Sequence, residues 1–229
     1  MAITKARAAI GRLFYQRCFY LFLVLLGLIV GVPFIEPTPL GRLVVNIAGT
    51  FVVIAAVAAV GRTALSFVIA LLLAAPTAIF HWLGMSTDDR HYLLLSWCFA
   101  AGLYAMTLVY LLRYVFERDV MTADRLFGAA SAYLLIGVLW AYLYAIVGHV
   151  FPGSYAVGGS AATLSTYDFL YFSFTALTST GFGDITALSR QARSLCVFEQ
   201  LVGTLYLAIL IARLAGIYPP PETGVTGTR

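Results

Sequence analysis

Charge is scarce in this chain. Asp, Glu, Lys and Arg make up 10% of its 229 residues, against 62% that are hydrophobic. Average soluble domains are roughly a quarter charged. A soluble globule of this length has too little interior to hide so much apolar surface, so the class left is integral membrane. Cysteine is scarcer still. Cys18, Cys98 and Cys196 stand alone in apolar surroundings, with no paired spacing for metal or redox work, and each is read as a small apolar packing residue. No block of like charge is long enough to hold nucleic acid. The apolar run 91–112 also lacks arginine. The every-third-residue register in which voltage sensors carry charge reads Leu94, Trp97, Ala100, Leu103, Met106, Val109. Little or no voltage dependence is expected of it.

What is abundant is apolar sequence in runs of about 20 residues, the length of a transmembrane helix. Six such runs occupy 18–35, 43–60, 63–83, 91–112, 126–148 and 194–214. The first follows a basic stretch, as a signal peptide would, but it is long and Val32-Pro33-Phe34 is a poor cleavage site. A retained span is expected. With six spans and both ends on one side, that side holds Lys5, Arg7, Arg12, Arg17, Arg62, Arg113, Arg118, Arg125, Arg213 and Arg229. The other side holds Arg42, Arg90, Arg190 and Arg193. The positive-inside rule then puts both termini in the cytoplasm and segment 149–193 outside. His81, His91 and His149 fall near outer ends and read as interfacial histidines. Pro76 is expected to bend the third span.

Between the fifth and sixth runs lies a shorter segment. Residues 166–178, as helix, reach about 20 Å, short of a hydrocarbon core of about 30 Å, so this segment should enter the bilayer and turn back. Non-helical backbone at membrane depth survives only buried in protein or lining water. The backbone that follows reads Thr178-Ser179-Thr180-Gly181-Phe182-Gly183-Asp184. Glycines at 181 and 183 permit conformations that other residues avoid, so successive carbonyls can face one axis. Rings of such carbonyls replace the hydration shell of a passing cation.

Here the chain resembles the tetrameric pore-domain potassium channels, whose filter reads Thr-Val-Gly-Tyr-Gly-Asp, aligned with Ser179-Thr180-Gly181-Phe182-Gly183-Asp184. The resemblance implies an all-α integral membrane protein. It would have six transmembrane helices, a re-entrant pore helix and a selectivity-filter loop, assembled as a homotetramer in the lipid bilayer, as in a six-span bacterial-type member of the inner (plasma) membrane. It implies potassium ions held by the carbonyls of Ser179, Thr180, Gly181 and Phe182, with Gly183 completing the filter and Asp184 at the outer mouth. It implies a cuff of pore-helix residues Tyr171, Phe172 and Thr175 around the filter. Three residues depart from the pattern: Ser179 replaces Thr, Thr180 replaces Val and Phe182 replaces Tyr. They point to a looser filter, and a weakly selective monovalent cation channel is the alternative to a potassium-selective one.

Gly203 lies twenty residues beyond Gly183, where the resembling family keeps an inner-helix hinge glycine. It serves either as that hinge or as close packing against the fifth span. Gly203, Thr204, Leu207, Ile211 and Ala215 share one helical face and are candidates for the cavity and gate. Glu199 is the one acid inside a span. It is expected to support the filter, bonding to the pore helix or the filter support of its own or a neighbouring subunit and so tuning gating, or else to make a structural hydrogen bond with no gating role.

The chain divides into an N-terminal segment and four-helix membrane domain without sensor charges (1–113), an interfacial linker (114–125), a pore domain (126–218) and a short polar tail (219–229). In the linker, Val115, Phe116, Val120 and Met121 can share an apolar stripe, as a surface helix would, though a plain loop also fits. No cytoplasmic ligand-binding domain, organic cofactor or enzymatic activity is expected. The enzymatic rival is an intramembrane aspartyl protease, since Gly181-Phe182-Gly183-Asp184 matches its Gly-x-Gly-Asp signature and Tyr167-Asp168 mimics its partner motif. Paired carboxylates can activate water, but those proteases carry them on separate spanning helices. No complete span separates Asp168 from Asp184.

Overall fold

The computed structural model describes residues 17–35, 64–87, 89–117 and 122–216. The expected second span at 43–60, the segment before residue 17 and the tail after residue 216 lie outside the described residues.

Among the described residues, six helices and three short strands follow one another: α1 (Arg17–Ile35), α2 (Ala64–Thr87), α3 (Arg90–Phe116), α4 (Ala123–Val150), β1 (Tyr155–Val157), β2 (Ser160–Ala161), α5 (Thr166–Leu177), β3 (Ile185–Ala187) and α6 (Arg190–Gly216). Among the described residues, four helices are long and apolar enough to cross a membrane: α2, α3, α4 and α6. α1 contributes a shorter apolar stretch, Cys18–Gly31.

Local chemistry marks the helix ends. Asp89 caps α3 by accepting from the His91 N–H at 2.9 Å, and Thr122 caps α4 by accepting from the Arg125 N–H. Each satisfies a donor that has no partner within its helix. Pro76 lies inside α2 without ending it. At the next residue the Ser96 hydroxyl of α3 donates to the Thr77 carbonyl.

α4 is the hub. α1, α3, α5 and α6 all pack on it, and Leu135, Ile136 and Tyr144 along it are essentially inaccessible. α2 packs against α3, where Ala70, Ala74 and Leu103 form a separate small cluster. The ends that carry Arg113, Asp124 and Arg125 are held by polar contacts. Asp124 accepts from the Cys18 N–H at 3.1 Å and the Tyr114 phenol at 2.8 Å, and Arg125 pairs with Glu117 at 3.4 Å.

The structure differs from the expected linker. Tyr114, Val115 and Phe116 continue α3, and Val115 is fully buried. A stripe that looked interfacial is therefore, at its first half, the last turn of a span packed on α4. Residues 118–121 are not among those described. A second addition is the sheet, of order β2-β1-β3 and antiparallel throughout, with Tyr155 opposite Ala187 and Val157 opposite Ile185. Among the described residues the fold is all-α except at this one end, and the sheet ties the loop after α4 to the loop before α6.

Candidate functional site: the re-entrant helix and the loop behind it

α5 has 12 residues, about 18 Å of helix, too short to cross. Its start is a capping box: Ser165 accepts from the Asp168 N–H at 3.2 Å, and the Asp168 carboxylate accepts from the Ser165 N–H at 2.8 Å. The two together satisfy donors at the helix entrance. Its end leads directly into the Gly-Phe-Gly segment. The Thr175 carbonyl accepts the N–H groups of both Thr180 and Gly181, at 2.9 and 3.1 Å, and the Ala176 carbonyl accepts that of Ser179 at 2.9 Å. The far end is pinned by the Gly158 N–H donating to the Asp184 carbonyl at 3.0 Å. The loop is thus suspended between the re-entrant helix and the sheet.

Within it, φ is positive at every second residue: 55° at Ser179, 53° at Gly181 and 82° at Gly183. An extended strand turns successive peptides to opposite sides. Reversing the sign of φ at alternate residues undoes that alternation, and glycine does so without a Cβ clash. Ser179 is the one non-glycine residue with positive φ among those described, and such outliers gather at ligand-holding sites. Residues 178–184 are all exposed, Phe182 to 70%. Among the described residues no donor reaches the carbonyl oxygens of residues 178–183. The Thr178 and Thr180 hydroxyls bond to each other at 2.8 Å.

The three cuff residues separate. Tyr171 stacks on Phe182, with centroids 6.4 Å apart and planes within 5°, and its phenol interacts with Asp184. Phe172 turns the other way and is buried against Tyr144 and Tyr155. Neighbouring helical residues do not share a face, so the aromatic pair cannot act as one. Thr175 meets the loop through its backbone carbonyl, while its hydroxyl donates to the Phe172 carbonyl at 2.8 Å.

On α6, a Cβ at Gly203 would stand 2.5 Å from the Leu177 carbonyl oxygen. The close packing is against the end of α5 rather than the fifth span. Thr204, Leu207, Ile211 and Ala215 are exposed in the subunit whereas Gly203 is buried, so Gly203 sits apart from the other four. Glu199 is fully buried. Its Oε1 lies 2.5 Å from the Ser173 hydroxyl of α5 and its Oε2 accepts from the Tyr144 phenol of α4 at 2.6 Å.

Sequence reasoning did not single out Tyr133, Gly137, Tyr144 or Ser173. The Tyr133 phenol donates to the Leu177 carbonyl, and a Cβ at Gly137 would meet the Phe174 ring at 2.7 Å. The available signals were a small polar residue in an aromatic helix (Ser173) and phenols inside an apolar span.

Residues 129–218 match a family model described as ion channel. A comparison with curated proteins and one with solved structures each gave no match. The matched segment contains α4 from its second turn, the re-entrant helix, the suspended loop and α6, with the hydroxyl-led Gly-Phe-Gly-Asp where the resemblance expects the filter. Over residues 129–218, 90 of its 229 residues, the chain is therefore similar to an ion channel family.

Proposed function

We propose that this chain is one subunit of a homotetrameric, potassium-selective channel of the plasma membrane, with both termini cytoplasmic, conducting passively and with little or no voltage dependence. One observation carries the reading: the carbonyls of residues 178–183 have no donor among the described residues, in an exposed loop with alternating φ that follows a helix too short to span. Backbone at membrane depth needs a partner for every polar group. Three further copies around one axis would cover the exposed faces of the loop and of α6, and cations would satisfy the carbonyls. Closed cyclic symmetry suits such a site, since one chain supplies only one strand of it. In this reading Ser179, Thr180, Gly181, Phe182 and Gly183 line the filter and Asp184 sets the charge at its mouth. Thr204, Leu207, Ile211 and Ala215 face the cavity or gate. The absence of arginine from α3 between residues 91 and 112 supports weak voltage dependence.

A second reading, a weakly selective monovalent cation channel, is favoured by two features: Thr180 spends its hydroxyl on Thr178, and Phe182 meets Tyr171 by stacking alone. The protease reading finds little support. Asp168 is engaged at the α5 N-terminus and Asp184 follows α5, so neither sits on a spanning helix.

The test is reconstitution in a planar bilayer with potassium on one side and sodium on the other. A reversal potential near the potassium equilibrium value supports selectivity, and one near zero supports the second reading. No cation current at any potential would overturn both.

A further inference from the structure

Glu199 lies behind the filter, where α4, α5 and α6 meet, and its surroundings fix where its proton is. The Ser173 Oγ makes two short oxygen–oxygen contacts, 2.7 Å to the Gly137 carbonyl and 2.5 Å to Glu199 Oε1. Two oxygens come this close only with a proton between them. Serine has one proton and a carbonyl has none. The Tyr144 proton is already directed at Oε2, at 2.6 Å. Three short contacts therefore need three protons, and only Glu199 is left to supply the third. The pattern is complete when Ser173 donates to Gly137, Glu199 donates to Ser173 and Tyr144 donates to Glu199.

The charge environment agrees. The titratable groups that face Glu199 are Tyr133 and Tyr144 of α4, Tyr155 of β1 and Cys196 of α6. None is a cation, and the one ion pair among the described residues is Arg125 with Glu117. A fully buried carboxylate with no cation beside it is strongly disfavoured.

We infer that Glu199 is a neutral carboxylic acid that positions the re-entrant helix, joining α5 to α4 and α6 through one proton chain and so fixing the origin of the filter loop. The functional half rests on the channel reading; the protonation half does not. Ser173 is on the same short helix as Thr175, whose carbonyl holds the N–H groups of Thr180 and Gly181. Any rotation of α5 about its axis moves that carbonyl and the filter with it. Glu199 is a positioning residue in this scheme, since it touches no ion.

The proposal is tested with the full-length protein in liposomes, wild type beside Glu199→Gln and Glu199→Ala. Glutamine keeps the shape, donates to Ser173 and accepts from Tyr144, so it should reproduce the neutral acid. Potassium flux and reversal potential of Glu199→Gln should stay within about twofold of wild type, while Glu199→Ala loses about tenfold in flux, the factor for one lost hydrogen bond. The wild-type minus Glu199→Gln infrared spectrum should show a protonated carboxylic acid band at neutral pH. That band should fade at alkaline pH together with the flux, and alkaline pH should leave Glu199→Gln conducting. A carboxylate band at neutral pH, or a glutamine variant as impaired as the alanine one, overturns the inference. If wild type conducts nothing, the channel reading fails, while the infrared difference still decides the protonation state.

Discussion

Gly203→Ala separates a hinge from a packing contact by the sign of its effect on stability. A hinge glycine is a weak point in a helix, and alanine there would stabilise the helix by about 1 kcal/mol. The geometry argues the opposite. The new Cβ would lie 2.5 Å from the Leu177 carbonyl oxygen and 2.8 Å from Leu177 Cδ1. Carbon–oxygen contacts settle at about 3.3 Å or more, so α5 and α6 must separate locally by roughly 0.8 Å. The oxygen is backbone, and no rotamer change can withdraw it. Overpacking of this kind costs about 1–3 kcal/mol, which offsets and exceeds the propensity gain. A net loss of up to about 2 kcal/mol corresponds to a fall of up to about 8 °C in Tm for a chain of this size. Leu177 lies just before the loop proposed as the filter, so on that reading the same displacement should also shift the reversal potential toward the sodium value. Thermal unfolding of the purified protein in detergent, followed by tryptophan fluorescence, measures the first effect, and bilayer recording measures the second. Gly27→Ala is the control: nothing lies within 4 Å of the Cβ it would add, and its Tm should hold or rise. A Gly203→Ala protein with a higher Tm and unchanged selectivity would refute the packing argument.

Gly137→Ala should also destabilise, because its Cβ would stand 2.7 to 2.9 Å from the Phe174 ring. Here the obstacle is a side chain, so Phe174→Leu in the same protein should restore much of the lost Tm, as no second substitution at Leu177 can do for Gly203→Ala. Alkaline pH gives a further test through Tyr155, which lies outside the spans and donates to the Tyr144 carbonyl at 3.1 Å. Burial, and then the neighbouring Cys196 and Glu199, hold its phenol well above the ordinary 10.0. The folded state therefore keeps a proton that the unfolded state releases above pH 10. Its contribution to stability is complete below that pH and falls by about 1.4 kcal/mol per pH unit above it. The Tm of wild type should drop more steeply than that of Tyr155→Phe between pH 10 and 11, and parallel curves would contradict this.

Much of the architecture follows from properties a linear chain displays directly. Spans are legible because a helix in lipid must be apolar along its whole length: 91–112, 126–148 and 194–214 each lie within an observed helix, and 64–83 of the third run lies within α2. The short helix α5 was legible as one that cannot cross, from its length alone. The suspended loop was legible because two glycines two apart, led by hydroxyls, state a backbone requirement that no side chain can meet. All of these are local demands, set by the solvent and by the chain's own dihedral angles.

Tertiary structure decided which surfaces meet. Nothing within a few residues of Glu199 announces that its partners are Ser173, 26 residues away, and Tyr144, 55 residues away. A buried acid states that it needs partners and leaves open which. Gly203 likewise advertises an approach without naming what approaches, and the end of α5 turned out to fill that place. The split of Tyr171 from Phe172 depends on how α5 is rotated against α4, and the three-stranded sheet on a meeting of two loops about 30 residues apart. Composition and periodicity report what each segment must bury. Only packing assigns the partner, because the same apolar face satisfies that demand against many surfaces, while a hydrogen bond or a missing Cβ satisfies it against one.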